Sequence, residues 1–184
     1  MSDLAQRLLG LGYTDLFQRM DEEALSALWS EDGAPDALKR IALAGNEDER
    51  ARFIAAEVIL SRRPAAFRKG EGREIGSLYA TALRGQFTGS ANEWTFPGQP
   101  LGRAGEHLLA LGNDAIPALT NLLNDDTPVV YEGSQEAMVG ASYRYRVKDL
   151  AAQFISRITG LQFPTDTNPA ARDEAIYPNL TNPR

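Results

Sequence analysis

The chemistry-bearing side chains gather most densely between Thr127 and Lys148. Tyr131, Glu132, Glu136, Tyr143 and Tyr145 stand there beside Arg144, Arg146 and Lys148. Tyrosine and arginine join large contact area to hydrogen-bonding tips, which is why they dominate binding hot spots. The chemistry this pattern predicts is recognition of another protein. A second reading is a small-ligand site, or an enzyme site, under the segment, using Glu132 or Glu136 with Tyr145 and Arg146. A plainer reading has the tyrosines covering the edge of a helical stack while the charges pair among themselves. Alternation at Val129 to Tyr131 and at Ser142 to Val147 also allows a small β-hairpin within 127–147.

Other candidates are few. His107, the single histidine, is a general base by type. No nucleophile pairs with it by motif, and its plainer reading is a packed helix residue. Glu132-Gly133-Ser134 lacks the Gly-x-Ser-x-Gly nucleophile elbow and reads as a turn. The chain has no cysteine, so there is no thiol nucleophile, disulfide or thiolate zinc site, and one histidine cannot assemble the common zinc or copper sites. The acidic runs Asp21-Glu22-Glu23, Glu47-Asp48-Glu49 and Asn124-Asp125-Asp126 lack calcium-loop spacing. No catalytic residue, metal or cofactor is therefore assigned. Trp94, within Asn92-Glu93-Trp94-Thr95-Phe96-Pro97, is a second aromatic focus and reads either as a core plug or as a ligand platform.

The chain's 184 residues carry a formal charge of −6, and its pI is about 4.9. Phosphate backbones are bound by clustered Lys and Arg, so nucleic-acid binding is not expected. Arg62-Arg63, Arg68-Lys69 and Arg73 form the main basic concentration, read as a solvated loop or as a patch for an acidic partner. No uncharged apolar run approaches the ~18 residues of a membrane span. Met1-Ser2-Asp3-Leu4 has neither the basic nor the apolar region of a signal peptide. The expected location is cytoplasmic, or extracytoplasmic if a leader was removed.

The elements that must position these residues are helices. Apolar residues recur at helical spacing between Gly, Pro and Asn-Asp clusters. Leu4, Leu8, Leu9 and Leu11 start a first helix, and a short turn through Leu16, Phe17 and Met20 follows. Asp21 starts a helix carrying Leu25, Leu28 and Trp29, and Pro35 suits the first turn of the next. Asn46 or Asp48 caps Glu49 to Arg62, and another helix surrounds Ile75, Leu78 and Leu83. Gly85 to Gly102 reads as an ordered loop because its aromatics need burial. Leu101 to Leu111, Asn113 to Leu123 and Arg144 to Ile158 give three more helices. The proline-bearing tail holds one short helix near Ala170 to Ile176 and otherwise lies along the surface.

An internal repeat ties these helices together. Arg50 to Ile59 aligns with Arg146 to Ile155 at an offset of 96, sharing basic, x, basic, x, apolar, Ala, Ala, x, apolar, Ile. Ala104-Gly105-Glu106-His107-Leu108-Leu109 matches the first copy at 49 and the last at 47. Adjacent small residues let neighbouring helix backbones approach closely. Leu111-Gly112-Asn113-Asp114-Ala115-Ile116-Pro117-Ala118-Leu119-Thr120-Asn121-Leu122-Leu123-Asn124-Asp125-Asp126 resembles the first helix of a HEAT repeat, and Arg146 to Ala152 resembles the start of its second. The departure is the insertion Thr127 to Tyr145, where HEAT units have only a few residues. Ile158 to Phe163 is similar to the ends of bacterial HEAT-like domains. Tyr131 to Ala137 with Tyr143 to Asp149 resembles a group of bacterial proteins of unknown function.

The resemblance implies an all-α fold: a right-handed α–α superhelix of about three HEAT-like helix pairs forming one domain over 1–184. Residues 1–33 would be N-terminal helices, 34–64, 70–112 and 113–160 the pairs, and 161–184 a tail. It further implies that Asp125 or Asp126 supports the inter-helix turn with Arg146 or Lys148. Stacked helix pairs are commonly used for protein recognition, so the expected function is a non-enzymatic interaction module or scaffold.

Overall fold

The computed structural model describes residues 1–19, 21–68, 70–96, 99–164 and 166–180, with side chains to 176 in the last span; Met20, Lys69 and Pro97 lie outside. Ten α-helices are present and no strand occurs among the described residues: α1 Asp3–Tyr13, α2 Glu22–Ser30, α3 Ala34–Leu43, α4 Glu49–Arg62, α5 Glu71–Arg84, α6 Arg103–Ala110, α7 Ile116–Asn121, α8 Ser134–Tyr143, α9 Val147–Thr159 and α10 Pro169–Leu180. No described helix is long and apolar enough to cross a membrane.

Local chemistry sets several of the helix ends. The Asp21 carboxylate accepts from the Ala24 amide at 2.9 Å, and Asp48 accepts from Arg50 and Ala51 at 2.8 and 3.1 Å. Such caps satisfy amides that the first helical turn leaves open. Gly160 ends α9 in the left-handed conformation, φ 76°, at no side-chain cost. The caps expected at Asn113 or Asp114 are absent; α7 starts after Ala115 without a side-chain cap, and Pro117 occupies its first turn.

Helix α3 touches α4 and α5, α4 touches α1, α5 and α6, α5 touches α6 and α7, and α9 touches α6, α7 and α10. Buried apolar residues from Ala5 to Ile176 form one cluster. Ala55, Ala104 and Ala151, the repeated small residues, are all fully buried, on α4, α6 and α9. A methyl group at Gly105, next in the same motif, would strike the carbonyl oxygen of Trp94. That obstacle is backbone and cannot rotate aside. Gly105→Ala is expected to cost about 1–3 kcal/mol through overpacking, read as a lower urea midpoint with unchanged slope. A midpoint equal to that of the parent protein would refute the close approach.

The reading of the 127–147 segment is corrected. The 127–147 segment forms no β-hairpin: its extended part is one antiparallel bridge, Pro128 to Arg146, and residues 134–143 are helix α8. Gly133 turns the chain at φ 99°, after which Gln135, Glu136, Ala137 and Met138 favour helix over strand. The short helix expected near Ala170 to Ile176 is present as α10, and it buries Arg172 and Ile176 fully.

Candidate functional site

The insertion builds a groove. Its first limb is pinned to the preceding loop. The Ala91 amide donates to the Val130 carbonyl at 2.7 Å. The Asn92 side chain both donates to and accepts from the Glu132 backbone, at 2.8 and 3.1 Å. The second limb is α8, none of whose residues is buried. Gly140 of α8 lies on the Tyr131 ring so closely that a Cβ would clash with it. Between the limbs is an open cavity of about 640 Å³. Val129, Val130 and Tyr131 form one wall, and Ala137, Gly140 and Ala141 the other. Asp126, Arg144, Arg146 and Pro169 surround the mouth, with Tyr145 also lining it.

An ionic network centred on buried Asp149 extends from Asp126 and Arg146 of this lining. Asp149 is fully buried and accepts from Arg146 Nε and Nη2 at 2.9 and 3.0 Å, and from Arg172 Nε and Nη2 at 3.1 and 3.2 Å. Arg146 also reaches Asp126 and Asp173, and the Lys148 ammonium joins the same two carboxylates at 2.7 and 2.9 Å. Burial works against ionisation of Asp149, but hydrogen bonds from Arg146 and Arg172 outweigh it and hold the carboxyl below its ordinary value. Bonds to the charged form favour that form. Burial likewise opposes the charge on Lys148, and its bonds to Asp126 and Asp173 raise its pKa.

Arg172 is the unanticipated residue. Its guanidinium lies over the Tyr145 ring at 4.8 Å and donates to the carbonyls of Tyr143 and Arg144 at 3.0 and 3.3 Å. These carbonyls lie at the C-terminal end of α8, where orphan acceptors collect. Helix α10 therefore braces the insertion from below.

The structure brings some predicted site residues together and separates others. Tyr131, Tyr145 and Arg146 share the groove. Tyr131 is buried and its hydroxyl donates to the Thr95 carbonyl at 3.0 Å; burial raises its pKa well above the phenol range. Burial also raises Tyr145, with Gln153 and Arg172 acting against it, and among the described residues its hydroxyl finds no partner at hydrogen-bonding geometry. Lys148 is buried in the network. Tyr143 is half-buried against Tyr145, ring centres 5.3 Å apart. Glu132 is exposed, and the Glu136 carboxylate lies against Gly133 rather than lining the groove. Trp94 is deep in the core, stacked on Phe53 at 6.0 Å, with its indole N–H donating to Thr88 Oγ1 at 3.1 Å. In the basic concentration, Arg62 pairs with Glu22, and Arg63 lies over Trp29 at 5.2 Å.

A second buried cluster gathers around Glu57 and takes in His107, a candidate from the sequence that is here packed against a buried carboxyl group. Glu57 sits fully buried in the middle of α4. Tyr79 donates its hydroxyl proton to Glu57 Oε1, and His107 Nδ1 lies 2.9 Å from the same oxygen. The Tyr13 hydroxyl stands 3.4 Å from Glu57 and 3.2 Å from Glu93, within reach of both carboxyl groups. Burial raises the Glu93 carboxyl, with the Tyr13 hydrogen bond opposing it. The signal available in sequence was a lone acid inside the apolar run Phe53 to Leu60.

No family model, curated protein or solved structure matches the chain.

Proposed function

We propose that this chain is a non-enzymatic binding protein. Its scaffold is a right-handed superhelix of about three HEAT-like helix pairs, and its recognition site is the groove under the 127–147 insertion, which takes a small ligand with an apolar body. Two features support the scaffold: the contacts of α5 with α3 and α7 and of α6 with α4 and α9, and the buried alanines on α4, α6 and α9. The observation that carries the functional reading is the groove itself, with its volume of about 640 Å³ and mostly apolar walls. Ligand pockets typically enclose a few hundred cubic ångströms and are lined mainly by apolar side chains, so size and lining both match. Its phenols, Tyr131 and Tyr145, are held protonated by burial. Protonated phenols and guanidinium groups orient a ligand; they do not attack one.

The test uses Nile red, an uncharged apolar dye. The parent protein is expected to bind it at one saturable site, and Ala141→Trp, which fills the groove from α8, to weaken binding at least tenfold without changing thermal unfolding. Equal binding by both proteins overturns the reading. A protein partner is the second reading, favoured by Val130 and Met138, which remain 55% and 66% exposed on the insertion. Apolar side chains left bare together mark contact surfaces. A photoreactive side chain at Met138 would then give one discrete adduct in cell extract that the same group at Asp36 does not.

A further inference from the structure

Resting on the groove reading, we infer that the ligand is a small organic acid, an apolar body ending in one carboxylate that pairs with the Arg144 guanidinium. The mouth of the groove carries two arginines in opposite states. Arg146 is saturated, with Asp126, Asp149 and Asp173 around it. Arg144 is exposed and, among the described residues, its guanidinium has no hydrogen-bond or ion-pair partner. Lys148 and Arg172 are also met by the carboxylates of the network. Among the described residues, the positive charge left uncompensated at the groove mouth therefore belongs to Arg144.

The backbone adds a second, independent observation. Arg144 ends α8 in the left-handed conformation, φ 50° and ψ 51°. Glycine or asparagine is the usual occupant of such a position. A residue with a Cβ is disfavoured there. Arg172 holds this turn by bonding to the Tyr143 and Arg144 carbonyls. The left-handed turn is thus clamped from beneath, and it places the exposed Arg144 guanidinium beside apolar walls. A planar guanidinium presents two parallel N–H groups, which match the two oxygens of a carboxylate. An apolar tail lies between Val129–Tyr131 and Ala137–Ala141 while the head meets Arg144.

The experiment titrates octanoate and 1-octanol separately into the ¹⁵N-labelled full chain and follows amide shifts. The variants are Arg144→Gln and Arg144→Lys. Glutamine tolerates this backbone conformation elsewhere in the chain, since Gln86 also has φ 50°. Octanoate is expected to shift residues 128–131 and 137–141 and to bind about tenfold tighter than octanol, the scale of one charge-assisted hydrogen-bonded pair. Arg144→Gln is expected to abolish that preference and leave octanol binding unchanged, while Arg144→Lys restores part of it. Equal binding of acid and alcohol, or an unchanged preference in Arg144→Gln, overturns the inference and leaves the groove reading intact. Shifts outside the groove overturn the inference as well. If neither probe shifts groove residues, the groove reading itself fails.

Discussion

Replacing Asp149 with alanine is expected to destabilise the protein by about 3–5 kcal/mol, because it strands a buried cation. Arg172 is fully buried, and Asp149 is its only ion-pair partner among the described residues. Arg146 keeps Asp126 and Asp173, so the loss falls on the link between α9 and α10. The double variant Asp149→Ala with Arg172→Met should be more stable than Asp149→Ala alone, since no charge is then left unpaired. Urea unfolding of the four proteins in this cycle measures the coupling. A double variant no more stable than the single one refutes the stranded-charge account.

The same network fixes how the protein responds to acid. Asp149 and Asp173 both have carboxyls held below the ordinary value of 3.8; for each, burial opposes ionisation and hydrogen bonds from the basic partners outweigh it. A depressed folded-state pKa contributes stability that is complete above the unfolded value and disappears as pH falls through the folded one. Stability should therefore drop below pH 3.8, and Asp149→Asn should show a shallower decline from a lower starting point. Because Arg172 also holds the end of α8, loosening α10 should reach the groove. Faster amide exchange across 134–143 in Asp149→Asn would report that link.

How much of this was legible depends on how local the determining contacts are. Asp21, Asp48 and Gly160 announce helix ends because a cap acts within three residues of itself. The alanine pairs announce close helix packing because their spacing repeats. Helix α8 is obscured by two short alternating stretches on either side of it, each too brief to settle strand against helix. Only the Pro128–Arg146 bridge survives from that alternation. Arg146 and Lys148 stand out by type, yet their partners include Asp173 on a tail that reads as surface. Arg172 and Glu57 draw their meaning from residues 22 to 50 positions away, and no short-range pattern specifies such pairings. Arg144 stood in view among its charged neighbours. What distinguishes it is a backbone angle and the lack of a counter-charge, and neither is written in residue order.

Glu57→Ala carries the other large effect, about 3–5 kcal/mol, the scale of a core truncation that also strands a buried donor. It leaves a cavity in α4 and removes the acceptor of the Tyr79 hydroxyl, which is fully buried. Glu57→Gln preserves volume and one acceptor, so its cost should be less than half as large. Similar losses in both variants would refute the acceptor role. The phenols supply a further check at high pH. Burial, followed by the nearby Glu57 charge, raises both Tyr13 and Tyr79 well above the ordinary 10.0. A raised folded-state pKa gives stability that is complete below the unfolded value and is lost as pH rises past it. In the unfolded chain both phenols ionise near 10.0, whereas in the folded chain they resist, so stability should fall steadily above that pH. Tyr79→Phe has no proton to lose at this position. It should start less stable at neutral pH and then lose stability less steeply above 10.0. An alkaline slope equal to that of the parent protein would show that the Tyr79–Glu57 contact does not govern this response.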